Sequence, residues 1–374
     1  MDAIIRNRLK YTEPDYSQDW EYTSNATKTL VTKYIGTNKA VTTPNKINKL
    51  PVVLQNSANS FSGVFTNNKN ITSVTFSDGI TFTNNNMAYT FSDCTNLRQA
   101  PNIPNRVINM CNTFSSCYNL TQAPNIPNSV TDMAYTFMHC YNLTQSPAIP
   151  NSVTSMAYTF YGCTNLTQAP VIPNSVTNMD GTFASCYNLT QAPVIPNSVT
   201  NMGSTFIYCN KLTQAPNIPN SVTSMAYTFS DCINLTQAPN IPDSVTNVHR
   251  TFYGCTNLTQ APVIPNSVKA LNWTFENCVS LIQAPIIPNS VTDMWRTFYN
   301  CSKLTGNIII KSENISSFQN CFSNTSTAIP KNVYIPFKYA NGVNTKTYNA
   351  AFKAGYGING KNGVTVYDIN TYTG

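Results

Sequence analysis

Residues 119–140 read NLTQAPNIPNSVTDMAYTFMHC, and close variants of this stretch recur along most of the chain. Cysteines mark the repeat, each 23 residues from the next: Cys94, Cys117, Cys140, Cys163, Cys186, Cys209, Cys232, Cys255, Cys278 and Cys301. A fixed period of this length is typical of one supersecondary unit that buries its apolar face by stacking on copies of itself. The sequence therefore predicts a solenoid, whose function lies on a long regular surface.

Within one unit, apolar residues recur at the same positions in every copy. In the quoted unit these are Leu120, Ile126, Val130, Met133 and Phe137. Columns restricted to one apolar type are what an interior stacked at strand spacing requires. We therefore expect a dry core of superimposed identical side chains, with the cysteines as a column of reduced, buried thiols.

The proline pair Pro124 and Pro127 recurs in every full unit and excludes helix there. The stretch Val130–Met133 is free of proline and is the better candidate for continuous parallel pairing between units. Asn128 and Ser129 form a turn signal between the two extended stretches. The predicted fold class is an all-β solenoid of 23-residue coils with short parallel strands and little helix.

The charge distribution excludes several classes of function. Charged residues are 10% of the chain, and its net charge is +7. Residues 94–301 carry six Lys or Arg and six Asp or Glu, so the repeat array is neutral and the excess lies at the ends. A nucleic-acid binder needs a basic stripe along its repeated face, so we expect no nucleic acid. No run of 18 apolar residues is present, and we expect no membrane insertion.

Catalysis and metal binding are also not expected. The C-x22-C spacing is not a zinc-ligand pattern, and the only histidines are His139 and His249. The array's carboxylates fall in different columns without an evident catalytic pair. No phosphate loop, nucleophile elbow or HExxH motif occurs. We therefore predict a protein that is not an enzyme and carries no cofactor and no metal.

The unit resembles the BspA-type (Treponema-type) leucine-rich repeats and the related Mycoplasma-type surface repeats, over roughly residues 32–367. The family pattern LxxLxLPxSLxxIxxxAFxxCxx is matched by Leu120, Ile126, Pro127, Ser129, Val130, Met133, Phe137 and Cys140. This chain departs from it by an extra APx before IP and a shorter segment before TF. The resemblance implies a leucine-rich-repeat-like stack in a surface-exposed adhesion or recognition protein, or in a bacterial-virus tail or virion protein.

Four regions are predicted along the chain. Residues 1–31 lack the repeat and form an aromatic-rich N-terminal arm, which either docks the array onto a larger particle or caps it. Residues 32–93 are degenerate N-terminal coils, residues 94–321 are the repeat solenoid, and residues 322–374 are a C-terminal capping segment. Caps are required because an uncapped stack leaves an aggregation-prone edge.

Positions that vary between otherwise identical units are predicted to face solvent. They are the two residues after the methionine column and the two after the phenylalanine column, and they are rich in Tyr, Trp, Arg and Asn. Recognition surfaces use these residue types. Near the C-terminal end, stacking is expected to bring the candidate ligand-binding residues into one patch: Arg250, Tyr253, Trp273, Trp295, Arg296 and Tyr299.

Three functions remain open from the sequence. The first is a virion-associated protein, a phage tail or head fibre or decoration protein, that binds a host surface glycan or protein through the variable face. Residues 1–10 show no secretory signal, which favours this reading. The second is a bacterial cell-surface or secreted adhesin, and the third is a purely structural spacer. In the first two, the arm or the C-terminal cap would join the array to a larger assembly.

Overall fold

The computed structural model describes residues 15–56, 62–323, 325, 332–335 and 365–368. These residues contain no α-helix, only two 3-10 turns at Tyr16–Gln18 and Thr83–Asn85. The strands are short and lie at the two ends: β1 (Trp20–Ser24), β2 (Thr29–Tyr34), β3 (Ala40–Thr42), β4 (Lys46–Ile47), β5 (Leu50–Leu54), β6 (Ser73–Thr75), β7 (Thr81–Phe82), β8 (Ile308–Ile309), β9 (Asn332–Ile335) and β10 (Thr365–Asp368).

Parallel pairing begins at the N-terminal end and resumes at the C-terminal end. Strand β2 pairs parallel with β5, and β5 pairs parallel with β7. Strand β1 folds back antiparallel on β2 and forms the outer edge. At the other end β8, β9 and β10 form a three-stranded parallel sheet. The described residues are therefore a β-rich solenoid with a sheet at each end, as the predicted fold class requires.

Between the ends, strand pairing is reduced to single residues in two ladders. One ladder runs through the residue before the methionine column, for example from Asn109 to Asp132 to Ser155. The other runs through glutamines such as Gln99 and Gln122. The expectation of continuous pairing over Val130–Met133 is therefore wrong in extent, because the chain turns directly after Asp132. The prolines account for the short glutamine ladder, since they supply no amide donor.

After each methionine the coil is a stack of turns rather than a strand. The amides of Met133, Tyr135, Phe137 and His139 each donate to a carbonyl of the next coil, at 2.7–3.2 Å. The intervening amide of Thr136 instead closes a turn within its own coil by donating to the Met133 carbonyl. Tyr135 and His139 have φ of 57° and 59°, in the left-handed region. That conformation costs an L-residue roughly 1–2 kcal/mol, and the hydrogen bonds between coils hold it in place.

The core is built around a column of fully buried phenylalanines. Consecutive rings lie 5.1–5.8 Å apart, with interplanar angles of 9° or less. The column comprises Phe65, Phe91, Phe114, Phe137, Phe160, Phe183, Phe206, Phe229, Phe252, Phe275, Phe298 and Phe322. Such offset stacking adds about 0.5–1.5 kcal/mol per pair beyond the burial of apolar area.

The N-terminal end of this column is covered by residues of the arm and the first coil. Trp20 of β1 meets the Phe65 ring edge-on at 5.7 Å, and Tyr34 of β2 lies at the same distance. Both side chains are buried. The predicted boundary after residue 31 falls inside β2, because the hairpin of β1 and β2 belongs to the end of the stack. Residues 1–14 of the predicted arm lie outside the described residues.

Buried polar side chains satisfy carbonyl oxygens between coils. The Thr136 hydroxyl lies 2.7 Å from the Met133 carbonyl of its own coil and 3.0 Å from the Met110 carbonyl of the coil before. The Cys140 thiol donates to the Phe114 carbonyl at 3.2 Å. All twelve cysteines are unbridged, and all but Cys111 are buried. The prediction of reduced, buried thiols is confirmed for the column.

Replacing Phe206 with alanine, in the middle of the column, should lower the free energy of unfolding by about 3–5 kcal/mol. The change removes a fully buried ring and its stacking on Phe183 and Phe229. Urea unfolding followed by circular dichroism measures the effect. Val194→Ala is the matched control, because Val194 is 87% exposed. Equal unfolding free energies for the two variants would contradict the role of the column.

Burial raises the pKa of the column thiols, to about 12 for Cys94. A folded-state pKa above the unfolded value of about 9 makes the unfolded chain lose protons first as pH rises. Stability should therefore be intact below pH 9 and fall steeply above it. Urea unfolding in reductant at pH 8, 9 and 10 measures this. A flat profile up to pH 10 would contradict thiol burial.

Candidate functional site

The six residues of the predicted patch occupy two of the turns that follow the core columns. Arg250, Trp273 and Arg296 sit two residues after the methionine column of consecutive coils, with φ of 52°, 55° and 54°. Tyr253 and Tyr299 directly follow the phenylalanine column. Because each coil repeats the same backbone geometry, these side chains leave the stack in parallel directions and meet their neighbours.

Arg250 lies among aromatic rings. Its guanidinium carbon is 4.8 Å from the Trp273 ring centroid, 5.5 Å from that of Tyr253 and 5.6 Å from that of Tyr227. A guanidinium in this position gains about 0.5–2 kcal/mol from each ring quadrupole, depending on its desolvation. The Nε atom is buried without a hydrogen-bond partner. The charge of Arg250 is therefore held mainly by aromatic faces.

The two tryptophans are in contact, and the Asp293 carboxylate accepts a hydrogen bond from the backbone amide of the second one. The rings of Trp273 and Trp295 lie 4.3 Å apart at an angle of 50°. The Trp295 amide donates to Asp293 Oδ1 at 3.0 Å, and Asn272 Nδ2 donates to Asp293 Oδ2 at 2.8 Å. Trp295 is 38% exposed, whereas Trp273 is half-buried beneath it. Trp295 is thus the exposed member of the pair.

Arg296 forms an ion pair that the sequence did not suggest. Its Nε and Nη2 donate to the two carboxylate oxygens of Glu276 at 2.8 and 2.6 Å. These hydrogen bonds raise the pKa of Arg296. The guanidinium carbon also lies 3.9 Å from the Tyr299 ring centroid. Glu276 is only 4% exposed, so its charge depends on this bidentate pair.

His249 borders the patch on the Tyr227 side. Its ring meets Trp273 edge-on at 4.9 Å and Tyr227 at 5.3 Å. Burial first, and the nearby Arg250 second, lower the pKa of this histidine. The imidazole is therefore neutral at pH 7, and Arg250 supplies the unpaired positive charge of the patch.

The expectation that all varied positions face solvent is only partly right. The structure brings the six predicted residues together, but five of them are half-buried, and among them only Trp295 is exposed. In the column that directly follows the phenylalanines, small residues such as Ala184 and Ser230 are buried by their neighbours. Exposed tyrosines that directly follow cysteines were missed, namely Tyr118, Tyr141 and Tyr187. Their column also varies between units, and this signal could have found them.

Two further observations concern what the site could hold. Among the described residues, no group of three or more His, Cys, Asp or Glu is placed to bind a metal ion. Within the same residues, no helix has the length and hydropathy to cross a membrane. What the patch offers chemically is a tryptophan face, a guanidinium and tyrosine rims, which suit binding rather than group transfer.

Stacked coils, paired residue by residue around superimposed Leu, Val, Met, Phe and Cys columns, define a leucine-rich-repeat solenoid. Comparison with family models gives six copies of the BspA type leucine rich repeat region, matched at residues 45–144, 131–250 and 225–349. The chain belongs to this family of repeat proteins. The resemblance found in the sequence is thereby confirmed.

Solved structures agree on the fold. A leucine rich cell surface protein from Faecalibacterium prausnitzii A2-165 is similar at 22% identity and a TM-score of 0.59, over 93% of this chain and 97% of that one. A leucine-rich repeat protein from Bacteroides ovatus is similar at 19% identity and a TM-score of 0.56, over 96% and 100%. At these identities the likeness shows the fold alone. No curated protein sequence matches the chain.

Replacing Arg296 with methionine should lower the free energy of unfolding by about 1–3 kcal/mol. The change leaves the buried Glu276 carboxylate without its partner, and partial exposure of the arginine limits the loss. Adding Glu276→Gln should recover most of it, because the buried charge is then gone. Urea unfolding measures both variants. Arg98→Met, at an exposed arginine of the same array, is the control. A loss no larger than that of the control would contradict the pair's role.

Proposed function

We propose that this protein is a bacterial surface recognition protein that binds its ligand on the varied face of the solenoid and catalyses no reaction. Membership of the BspA-type family supports the non-enzymatic class. The description of the F. prausnitzii structure as a cell surface protein favours the bacterial surface over a phage particle. The assignment to a virion has no support among these comparisons and stays a prediction.

The observation that carries the proposal is the tryptophan pair above Arg250. An exposed indole in contact with a second indole is fixed in orientation, and that second indole lies over a guanidinium. Rigid aromatic groups with an adjacent arginine are the residues that dominate binding energy at recognition surfaces. A purely structural spacer has no need of an exposed tryptophan packed against a second one.

The proposed ligand is a glycan or a protein on a host surface. Its attachment to a larger surface assembly would use one end of the stack, either the N-terminal arm or the C-terminal cap. Nucleic acid is disfavoured because the repeat array carries equal numbers of acidic and basic residues. Arg296 is neutralised by Glu276, which leaves Arg250 as the cation of the patch.

Trp295→Ala should reduce binding of the purified, labelled protein to host epithelial cells at least tenfold. The reason is that Trp295 is the exposed aromatic group of the patch. Flow cytometry over a range of protein concentrations measures it. The melting transition should hardly move, since the side chain is not part of the core.

The control is Val263→Ala, an equally simple truncation at an exposed position away from the aromatic rings. Unchanged cell binding by Trp295→Ala would remove this patch as the recognition site. Failure of the unaltered protein to bind cells would favour the spacer function instead. Copurification with phage particles rather than the cell envelope would return the virion assignment.

A further inference from the structure

A second aromatic surface runs along the coils that precede the tryptophan patch and joins it at Tyr253. We name it the tyrosine strip and define it by six residues: Tyr118, Tyr141, Tyr161, Tyr187, Tyr208 and Tyr253. Six of the seven coils from the one with Cys117 to the one with Cys255 contribute one of these residues each. The remaining coil places the exposed Ile233 in the same column as Tyr118.

Several rings of the strip interact from one coil to another. Tyr118 and Tyr141 are stacked at 4.9 Å. Burial first, and then Tyr118, Tyr161 and Tyr187, raise the pKa of Tyr141. The pKa of Tyr208 is also raised, first by burial, then by Asp231, and then by Tyr187, Tyr253 and Tyr161. The tyrosines that influence one another in this manner lie one or two coils apart.

A second row of rings supports the strip at its N-terminal half. Tyr135 and Tyr158 are stacked at 5.0 Å and 2°, and Tyr158 contacts Tyr161 at 6.1 Å. His139 bridges Tyr161 at 5.0 Å and Tyr141 at 5.6 Å. This row holds Tyr141 and Tyr161 in fixed positions.

A glycine of the following coil makes room for the ring of His139. Gly162 has φ of 71°, and a side chain there would come within 2.5 Å of His139 Nδ1. The position is therefore suited to glycine on two counts, its backbone conformation and the close approach of the imidazole. With the histidine ring in this place, the rings of Tyr141 and Tyr161 have a common support.

The chemistry of the strip favours a neutral ligand. Two charged groups act on it, Asp231 beside Tyr208 and Arg250 over Tyr253, and they have opposite signs. They also interact with each other, as the effect of Arg250 on the pKa of Asp231 shows. A charged polymer would need a row of countercharges, whereas the strip repeats neutral phenol rings that carry hydroxyl groups.

The geometry favours a linear ligand with a repeating unit. Seven coils at a strand spacing of about 4.8 Å make a track of about 29 Å. Tyrosine side chains recur along it in nearly every coil, at the interval of a sugar ring in a linear polysaccharide. From these features we infer that the tyrosine strip binds a neutral, linear polysaccharide that lies along the solenoid axis. This inference rests on the proposed function and names the ligand class of the same face.

Binding along such a track should depend strongly on ligand length. Each further sugar unit that reaches a tyrosine binds at the high effective concentration set by the units already bound. A six-unit chain should therefore bind at least tenfold more tightly than a two-unit chain of the same sugar. A ligand recognised only at one end would show no such dependence.

The test uses the full chain and neutral oligosaccharides of two, four and six units, from β-1,4-glucose, β-1,4-N-acetylglucosamine and α-1,4-glucose series, in isothermal titration. We expect at least one series to bind with affinity rising with length. The double variant Tyr141→Ala, Tyr187→Ala should lose at least tenfold for the six-unit chain. The matched control is Val171→Ala, Val194→Ala, two exposed truncations off the strip, which should bind as the unaltered protein does. Circular dichroism verifies that all variants are folded.

Several results would overturn the inference without touching the proposed function. One is cell binding by the unaltered protein together with no binding of any oligosaccharide series. Another is cell binding that is destroyed by protease treatment of the cells but survives periodate oxidation of their glycans, which would make the ligand a protein. A third is sedimentation showing a dimer that the double tyrosine variant abolishes, which would make the strip an interface between two copies.

Discussion

Hydrogen bonding from alternate amides of each coil to carbonyls of the next coil is the constraint on which the rest of the molecule depends. The amides of Met133, Tyr135 and Phe137 donate to the next coil, and the same pattern repeats at each turn of the stack. Left-handed residues at two positions of every coil are tolerated only because these bonds form. Within the repeat array the 23-residue period keeps each donor opposite its acceptor. At the ends, coils of other length retain the same pairing, since the Phe65 amide donates to the Thr90 carbonyl and the Phe298 amide to the Cys321 carbonyl.

The same constraint explains why the buried columns are not purely hydrocarbon. Turns leave carbonyls directed into the core, and a buried carbonyl without a donor costs about 1–3 kcal/mol. Threonine and cysteine at fixed positions supply the hydroxyl and thiol that these carbonyls need, as Thr136 and Cys140 illustrate. Valine or alanine in their place would fill space but leave the acceptors unsatisfied. The cysteines are therefore hydrogen-bond donors of the core rather than precursors of disulfides.

The sequence predicted the columns and the grouping of the candidate site, because both follow from the period alone. Any residue lies beside the residue 23 positions away, so Trp273 had to meet residues of the coils containing Arg250 and Trp295. The degree of burial and the Arg296–Glu276 pair were not predictable from spacing. They depend on the direction of each side chain from a left-handed backbone, which the repeat pattern does not reveal. The exposed column of Tyr118 was accessible to the same comparison between units but was not singled out.

The backbone conformation is the same from coil to coil at the varied positions, so the surface differs between coils in its side chains alone. At the second position after the methionine column, Tyr135 and Tyr158 are followed by Gly181 and Ser204, and then by Tyr227, Arg250 and Trp273. All of these residues have positive φ, so substitution changes the side chain and not the path of the coil. Within this column, the small residues Gly181 and Ser204 separate the stacked pair Tyr135 and Tyr158 from Tyr227 and the tryptophan patch. Tyr187 and Tyr208, which are exposed, belong to neighbouring columns of the same two coils. A ligand moving along the solenoid would thus meet aromatic groups without interruption, although no single column supplies them all.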